Sequence, residues 1–500
     1  MRKLGVAFVL SLSLAAPAGS AAIVQSEWTR PGAAGPLRDP GGAFLEAAGI
    51  DWWSNPGRLG LGLHPLCHGI GAVPGGISDI LCRDMDCDGD SDIVACGPEA
   101  GLVIYENAGA GGSFRIHPVL VPGDSGPERL ACGDLDGDGY PDLAGSSRSH
   151  GSLRWWENAG AGPWPQHGLD PGGVAGPLDA ADLDGDGDIE LLVGMWDTGG
   201  LVVMEHGRSG TGWSRKRISS RPSRPSWVEV HPDGRFLAAA SPADSALLYW
   251  ELQDGAWTPG PLVEAAGSSC ALGADMDGDG RPDLLACSRE GDRIFWLSLA
   301  PEAAGETTVS RRMMAPARLR AADMDGDGDA DVLAASEAAG ELAWWESADG
   351  GESFFERYVG SFPGCSCCDA GDMDGDGGMD LVAASITDGS VGWWTLDEYR
   401  SEGSLTSSII WLGRRPRSCS VELFGSAPAG TSLGLAVRVS SDRTRMGPWT
   451  EVSGRRADLA ALADDGDRFL QYRVLLSTSR RDITPHADSV RIVRESGSPR

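Results

Sequence analysis

The stretch Asp182-Leu-Asp-Gly-Asp-Gly-Asp-Ile-Glu190 constrains this chain more than any other feature. It recurs in register as 84–92, 134–142, 275–283, 323–331 and 372–380. In each copy acids stand at positions 1, 3, 5 and 9, and glycine stands at position 6. Position 1 is Asp84, Asp134, Asp182, Asp275, Asp323 or Asp372. Position 3 is Asp86, Asp136, Asp184, Asp277, Asp325 or Asp374, and position 5 is Asp88, Asp138, Asp186, Asp279, Asp327 or Asp376. Position 9 is Asp92, Asp142, Glu190, Asp283, Asp331 or Asp380. Such alternation gathers several hard oxygen donors about one centre, which suits calcium and its six to eight oxygen ligands. Glycine at position 6 permits a sharp turn, so that the carbonyl of position 7 faces inward. Position 7 is Asp90, Tyr140, Asp188, Arg281, Asp329 or Gly378, a variety that fits a backbone ligand.

The EF-hand loop opens in the same way but closes at position 12 between helices. Here the closing acid comes at position 9, and a short apolar run such as Leu191-Leu-Val193 follows. These are therefore expected to be loops between strands. Magnesium suits them less, because its compact octahedron keeps several waters. The net charge of −31 is largely local to the loops, and six calcium ions would bring it to −19. So acidic a chain is a poor partner for nucleic acid.

Loop starts fall 50, 48, 93, 48 and 49 residues apart. The interval of 93 predicts a hidden repeat, and Glu229-Val-His-Pro-Asp-Gly-Arg-Phe-Leu237 aligns there without a gap. His231 at position 3 and Leu237 at position 9 make it a repeat that has lost its metal. Each repeat also carries a strand leading in, a strand leading out and an aromatic strand such as Leu153-Arg-Trp-Trp-Glu157, then a fourth segment. Four short strands every ~48 residues describe a β-propeller blade. The reading is all-β: a seven-bladed propeller over 49–400, with eight blades possible, then a β-sandwich over 401–494. Residues 23–48 form an N-terminal segment and 495–500 a tail. Ile50-Asp-Trp-Trp53 and Leu61-Gly-Leu-His64 are expected to supply strands that complete the last blade.

These loops, with their Asp-Leu-Val/Leu-Ala and Trp-Trp-Glu strands, resemble FG-GAP/VCBS repeats, the repeats of integrin α propellers. The resemblance covers roughly residues 50–398. It implies calcium between the first and second strands of each blade, on the lower face. It also implies ligands on the upper face. The C-terminal part is similar to β-sandwich modules of secreted bacterial repeat proteins.

Residues 1–22 read as a secretory signal, with Arg2 and Lys3 before the apolar run Leu4–Ala16. No segment is long and apolar enough to cross a bilayer, so a secreted or cell-surface location is expected. Of the eleven cysteines, Cys82 with Cys96 and Cys270 with Cys287 flank loops where cross-strand disulfides are plausible.

The expected function is an extracellular binding or adhesion scaffold for a protein or glycan, with about six structural calcium ions. No nucleophile elbow, zinc motif or phosphate loop is present, and no catalytic residue is assigned. Two alternatives stay open: a polysaccharide lyase-like enzyme, for which Lys216, Arg217, Arg221, Arg224, Arg311 and Arg312 offer cations, or a component of a cell-surface assembly. The candidate ligand residues are Arg148, His150, Trp196 and Asp197, in turns outside the repeated pattern. The Trp pairs are expected to pack between blades.

Overall fold

The computed structural model describes residues 20–25, 44–48, 50–51, 60–61 and 65–495, apart from 110–111, 121–124, 161, 207–211, 301–304, 349, 397–401, 408, 413–418, 465 and 480–483. Residues 1–19, which include most of the expected signal segment, Trp52, Trp53, His64 and residues after 495 lie outside the described residues. Two compact units emerge, Pro65–Leu396 and a second built from Met1–His64 with Asp397–Arg500.

Within Pro65–Leu396 an antiparallel sheet forms seven times. The first sheet runs Asp79–Arg83, Asp92–Gly97, Gly101–Asn107 and Phe114–Leu120. The others begin with Arg129–Gly133, Ala175–Ala181, Trp227–Val230, Ser268–Ala274, Arg318–Ala322 and Cys365–Gly371. Each acidic loop joins the first strand of its sheet to the second. Second strands such as Asp92–Gly97, Asp283–Ser288 and Asp380–Ser385 are buried along their whole length. A strand covered on both faces must be apolar or small at every position, which explains why these do not alternate. Ala, Gly and Ser there also let neighbouring sheets approach closely.

The Trp pairs bind sheet to sheet. Trp156 packs with Leu81, Val94 and Ile104 of the first sheet. Its neighbour Trp155 packs with Leu178, Leu191 and Val202 of the third. Successive side chains on a strand face opposite ways, so one pair reaches both neighbours.

The seventh sheet takes its fourth strand from the start of the unit. Leu66–Ala72 pairs with Ser390–Thr395, placing His68 opposite Trp393 and Ala72 opposite Ser390. This corrects the expectation that Ile50–Trp53 and Leu61–His64 complete that sheet. Ile50–Asp51 instead pairs with Gly60–Leu61 in a separate two-stranded ribbon. The seventh sheet also touches the first: Cys82 N donates to Asp369 Oδ2 at 2.9 Å, and Ser366 Oγ donates to the Ile77 carbonyl at 2.8 Å.

The first strands carry an unexpected set of charges. Asp79 accepts from Leu130 N at 3.0 Å, and Asp179 accepts from Val230 N at 2.8 Å. With Asp369 and Cys82, this makes three junctions where an acid on one first strand caps the backbone of the next. Arg318 pairs with Asp79 at 2.8 Å and lies over the Trp227 ring at 4.1 Å. Arg320 joins Asp369 at 3.0 Å to Glu229 at 3.8 Å. Burial raises the Glu229 carboxyl to about 7, against the pull of Arg320.

Glu229 thus lies on a first strand, which corrects its placement at position 1 of a worn loop. Val230 pairs with Leu237, a span of seven residues, whereas the matching pair in the first sheet, Cys82 with Ile93, spans eleven. The fourth sheet therefore turns through a connection four residues shorter. Phe236, opposite Glu251, begins its second strand where the other sheets have their acid. Its ring is buried and stacks on Tyr249 at 5.7 Å.

In the second unit two antiparallel sheets share one core that includes Leu405, Val421, Leu435, Val474 and Ile492. N-terminal segments join both: Ser20–Gln25 pairs with His486–Glu495, and Phe44–Ala48 pairs with Glu402–Ser407. All eleven cysteines are free thiols. Cys82 sits opposite Ile93 and Cys96 opposite Asp79, so the register separates that expected pair. Cys270 and Cys287 do face each other across two strands.

Candidate metal centres

The acidic loops share one internal geometry. Position 1 receives the loop backbone: Asp134 accepts from Gly137 N at 2.8 Å and from Gly139 N at 2.9 Å, and Asp372 accepts from Gly375 N and Gly377 N at 2.8 and 3.0 Å. Position 3 accepts from the N–H of position 5, as Asp325 does from Asp327 at 3.2 Å. Position 5 accepts from position 7: Asp88 from Asp90 at 3.0 Å, Asp138 from Tyr140 at 2.9 Å, Asp279 from Arg281 at 2.8 Å, Asp327 from Asp329 at 2.9 Å and Asp376 from Gly378 at 2.7 Å. The side chain at position 7 is not needed for this, which accounts for its variety.

Both glycines of the Asp-Gly-Asp-Gly core adopt positive φ, 79° at Gly185 and 93° at Gly187. The constraint therefore includes position 4 as well as position 6. Position 4 is glycine in five copies, but Cys87 occupies it in the first at φ 62°.

Position 9 anchors the loop to the sheet. Asp92 Oδ2 accepts from Met85 N at 2.8 Å, and Oδ1 accepts from Asn107 N, at the end of the third strand, at 2.7 Å. Asp142 holds Leu135 N and Asn158 N in the same way, at 2.9 and 2.7 Å. Asp331 holds Met324 N and Ser347 N at 3.0 and 2.7 Å. These acids are buried, and burial raises Asp92 and Asp283 to about 6, Asp142, Glu190 and Asp331 to about 7, and Asp380 to about 8. Backbone N–H donors oppose the rise but do not cancel it.

Oxygens of Asp84, Asp86 and Asp92 lie within 4.8 Å of one another, as do those of Asp134, Asp136 and Asp142. The same holds for Asp182, Asp184 and Glu190, for Asp275, Asp277 and Asp279, and for Asp323, Asp325 and Asp331. An oxygen-only donor set with converging carboxylates fits a hard divalent cation. Each carboxylate oxygen that accepts one N–H keeps a further lone pair for a metal. Glu106, on a third strand, and Glu157, just after one, add negative charge near Asp86 and Asp136. Each is paired, Glu106 with Arg115 and His117 at 2.6 Å and Glu157 with His167 at 3.1 Å.

The four candidate ligand residues separate. Arg148 and Trp196 come together, with the Arg148 guanidinium 4.5 Å from the Trp196 ring centre. His150 is exposed, and its Nδ1 contacts Ser147 Oγ at 3.0 Å, away from that pair. Asp197 serves its own turn, accepting from Val174 N at 2.9 Å and Thr198 N at 2.8 Å. Arg224 joins Arg148 at Trp196, 5.9 Å from the ring.

A family model described as FG-GAP-like repeat matches residues 84–145, 134–193, 275–334 and 323–383. The gap between 193 and 275 holds the sheet that lacks an acidic loop. No curated protein matches the chain. Among solved structures, the chain is similar to BBS1N in a crystal structure with ARL6DN, soaked with lead. There the identity is 14% and the TM-score 0.48, over 67% of this chain and 96% of that one. It is also similar to the RRP9 WD40 repeats, at 12% identity and TM-score 0.46 over 66% and 97%.

Two expectations follow. A side chain in the left-handed region costs about 1–2 kcal/mol, offset in part by the greater freedom of unfolded glycine. Cys87→Gly should therefore stabilise the protein by roughly 0.5–1 kcal/mol in urea unfolding. A destabilised variant would contradict the shared loop geometry. The second concerns pH. Carboxyls whose folded pKa is raised bind a proton more tightly folded than unfolded, so protonation favours the fold. Without metal, the melting midpoint should rise as pH falls from about 8 toward about 5. In saturating calcium that rise should vanish, because protons then compete with the ion. Identical pH profiles in chelator and in calcium would count against the position-9 anchors.

Proposed function

The chain is an FG-GAP-repeat protein, and on that premise we propose that it is a secreted, calcium-stabilised, seven-bladed β-propeller followed by a β-sandwich. It acts as a non-enzymatic extracellular binding scaffold. The observation that carries the reading is the position-9 acid. It is buried, and in four loops both of its oxygens also hold backbone N–H groups of the frame. An ion bound there is part of the sheet connection and not a displayed reactive centre. Asp84, Asp86 and Asp92 would hold it in the first loop, and the matching acids in the other five. Calcium would supply charge neutralisation and cross-linking between the loop and two strands.

The energetics agree. Two unit charges ~4 Å apart repel by about 1 kcal/mol in water and several times that near protein. A metal-free loop therefore strains the fold, and an ion reverses the sign. At ten times its dissociation constant each ion contributes roughly 1.4 kcal/mol, so six contribute about 8 kcal/mol. Extracellular calcium modules commonly bind at about 10⁻⁴–10⁻³ M, which suits an exported protein. The apolar segment at residues 4–16 supports export, and no helix among the described residues is long and apolar enough to cross a membrane.

The lyase alternative has less to stand on. Lys216 lies exposed on the outer strand Trp213–Ser219. Arg312 pairs with Glu356 at 3.6 Å, and Arg217 donates to the carbonyls of Ser219 and Gly199.

Saturating calcium should raise the melting midpoint by roughly 10 °C or more over chelator. An unchanged midpoint sinks the calcium-scaffold reading. Release of unsaturated products from an acidic polysaccharide would overturn the non-enzymatic part.

A further inference from the structure

We infer that a pocket across the second, third and fourth sheets, at the end opposite the acidic loops, binds an acidic side chain of a protein ligand. Arg129, Arg148, Trp196 and Arg224 hold it. The inference rests on the scaffold reading above and adds its ligand class.

Topology sets the location. Arg129 opens the strand that runs down into loop 134–142, and Arg148 follows the strand that returns from it. Trp196 stands in the corresponding turn of the third sheet, and Arg224 precedes the first strand of the fourth. All four line a cavity of about 330 Å³. Three guanidiniums meet one carboxylate there, Glu128, in a chain whose net charge is −31. This surplus of positive charge against the sign of the chain is what points to an anionic ligand.

The guanidiniums are oriented and only partly committed. Trp196 supports Arg148 at 4.5 Å and Arg224 at 5.9 Å through cation–π contact. Arg148 reaches Glu128 at 3.7 Å, beyond hydrogen-bond distance. Glu128 is itself held by Ser149 N at 2.8 Å, and these contacts lower its pKa although burial opposes them. Arg129 donates to the carbonyls of Ser78 and Glu128, both at 3.2 Å. It shares the Ser78 carbonyl with Arg318, whose charge is paired with Asp79 behind the pocket. Burial brings the Arg129 guanidinium down to about 10, with Arg318 adding to the fall and Asp79 opposing it. An incoming carboxylate would meet oriented forks.

The rest of the lining selects a peptide over a sugar. Pro177, Pro225, Pro242 and Ala243 form an apolar wall. The two hydroxyls present have their protons committed: Ser146 Oγ donates to the Gly176 carbonyl, and Ser226 Oγ shares its one proton between the carbonyls of Ala240 and Ser269. Sugar hydroxyls would find few polar partners, and unmatched ones lose affinity. The Trp196 face that a sugar ring would stack on carries guanidinium. An aspartate or glutamate flanked by apolar residues matches both the forks and the wall.

The test uses the full chain in saturating calcium and fluorescein-labelled hexapeptides in which one Asp or Glu sits between Pro, Leu or Val. Anisotropy should show saturable binding to the acidic peptides and none to their Asn or Gln counterparts. Arg224→Ala and Arg148→Ala should each weaken binding roughly tenfold, as loss of a charge-assisted pair predicts. Glu128→Gln should tighten it a few-fold by freeing Arg148, a gain that misfolding cannot mimic. Binding of oligogalacturonate without binding of the peptides would overturn the inference, as would peptide binding that survives both arginine changes. No binding of any probe, with the calcium-dependent melting shift intact, would overturn the pocket and leave the scaffold reading standing.

Discussion

Everything in the repeated unit depends on one buried carboxylate per acidic loop, the acid at position 9. It sits where the second strand enters the core, and it accepts backbone N–H groups from the loop before it and, in four loops, from the end of the third strand. A charge in that position is costly unless paired. The exposed acids at positions 1, 3 and 5 make the local field still more negative. Converging carboxylates in that setting could hold a hard cation between them. The fourth sheet, which carries Phe236 at this point, shows the other solution: remove the charge, shorten the turn and bury a ring.

The two ends of the sheets divide the work. At one end identical loops repeat, and their uniformity belongs to structure. At the other the turns differ from sheet to sheet, and Arg148, Trp196 and Arg224 come from three of them. Between the ends, first strands are stitched by Asp79, Asp179 and Asp369, each capping a neighbour's N–H. Breaking such buried pairs is expensive, so these residues contribute to register as well as to cohesion.

The acidic loops and the spacing of the sheets were legible because they repeat: a ligand rule applied six times leaves six equal marks. The glycine at position 4 was equally visible but was masked by Cys87, the one copy that departs. The closing strand Leu66–Ala72 was harder. Its sequence Leu-Cys-His-Gly-Ile-Gly-Ala lacks the tryptophans that mark third strands, and Ile50–Trp53 has them. The pairing of the charges on the first strands was not legible. Asp79, Arg129 and Arg318 each stand five residues before a loop and Arg320 three before one, but their partners lie up to 239 positions away. In the fourth repeat the glycine of His-Pro-Asp-Gly-Arg invites an ungapped alignment, whereas only strand register shows that four residues are missing.

The central claim is that each acidic loop holds one ion and the fourth sheet holds none. Counting bound calcium per chain, by equilibrium dialysis or by mass spectrometry of the intact protein, tests it most directly. Six ions per chain is the predicted result, falling to five when Asp134 and Asp136 are both changed to Asn. No bound calcium, or a count unchanged by that substitution, would contradict it.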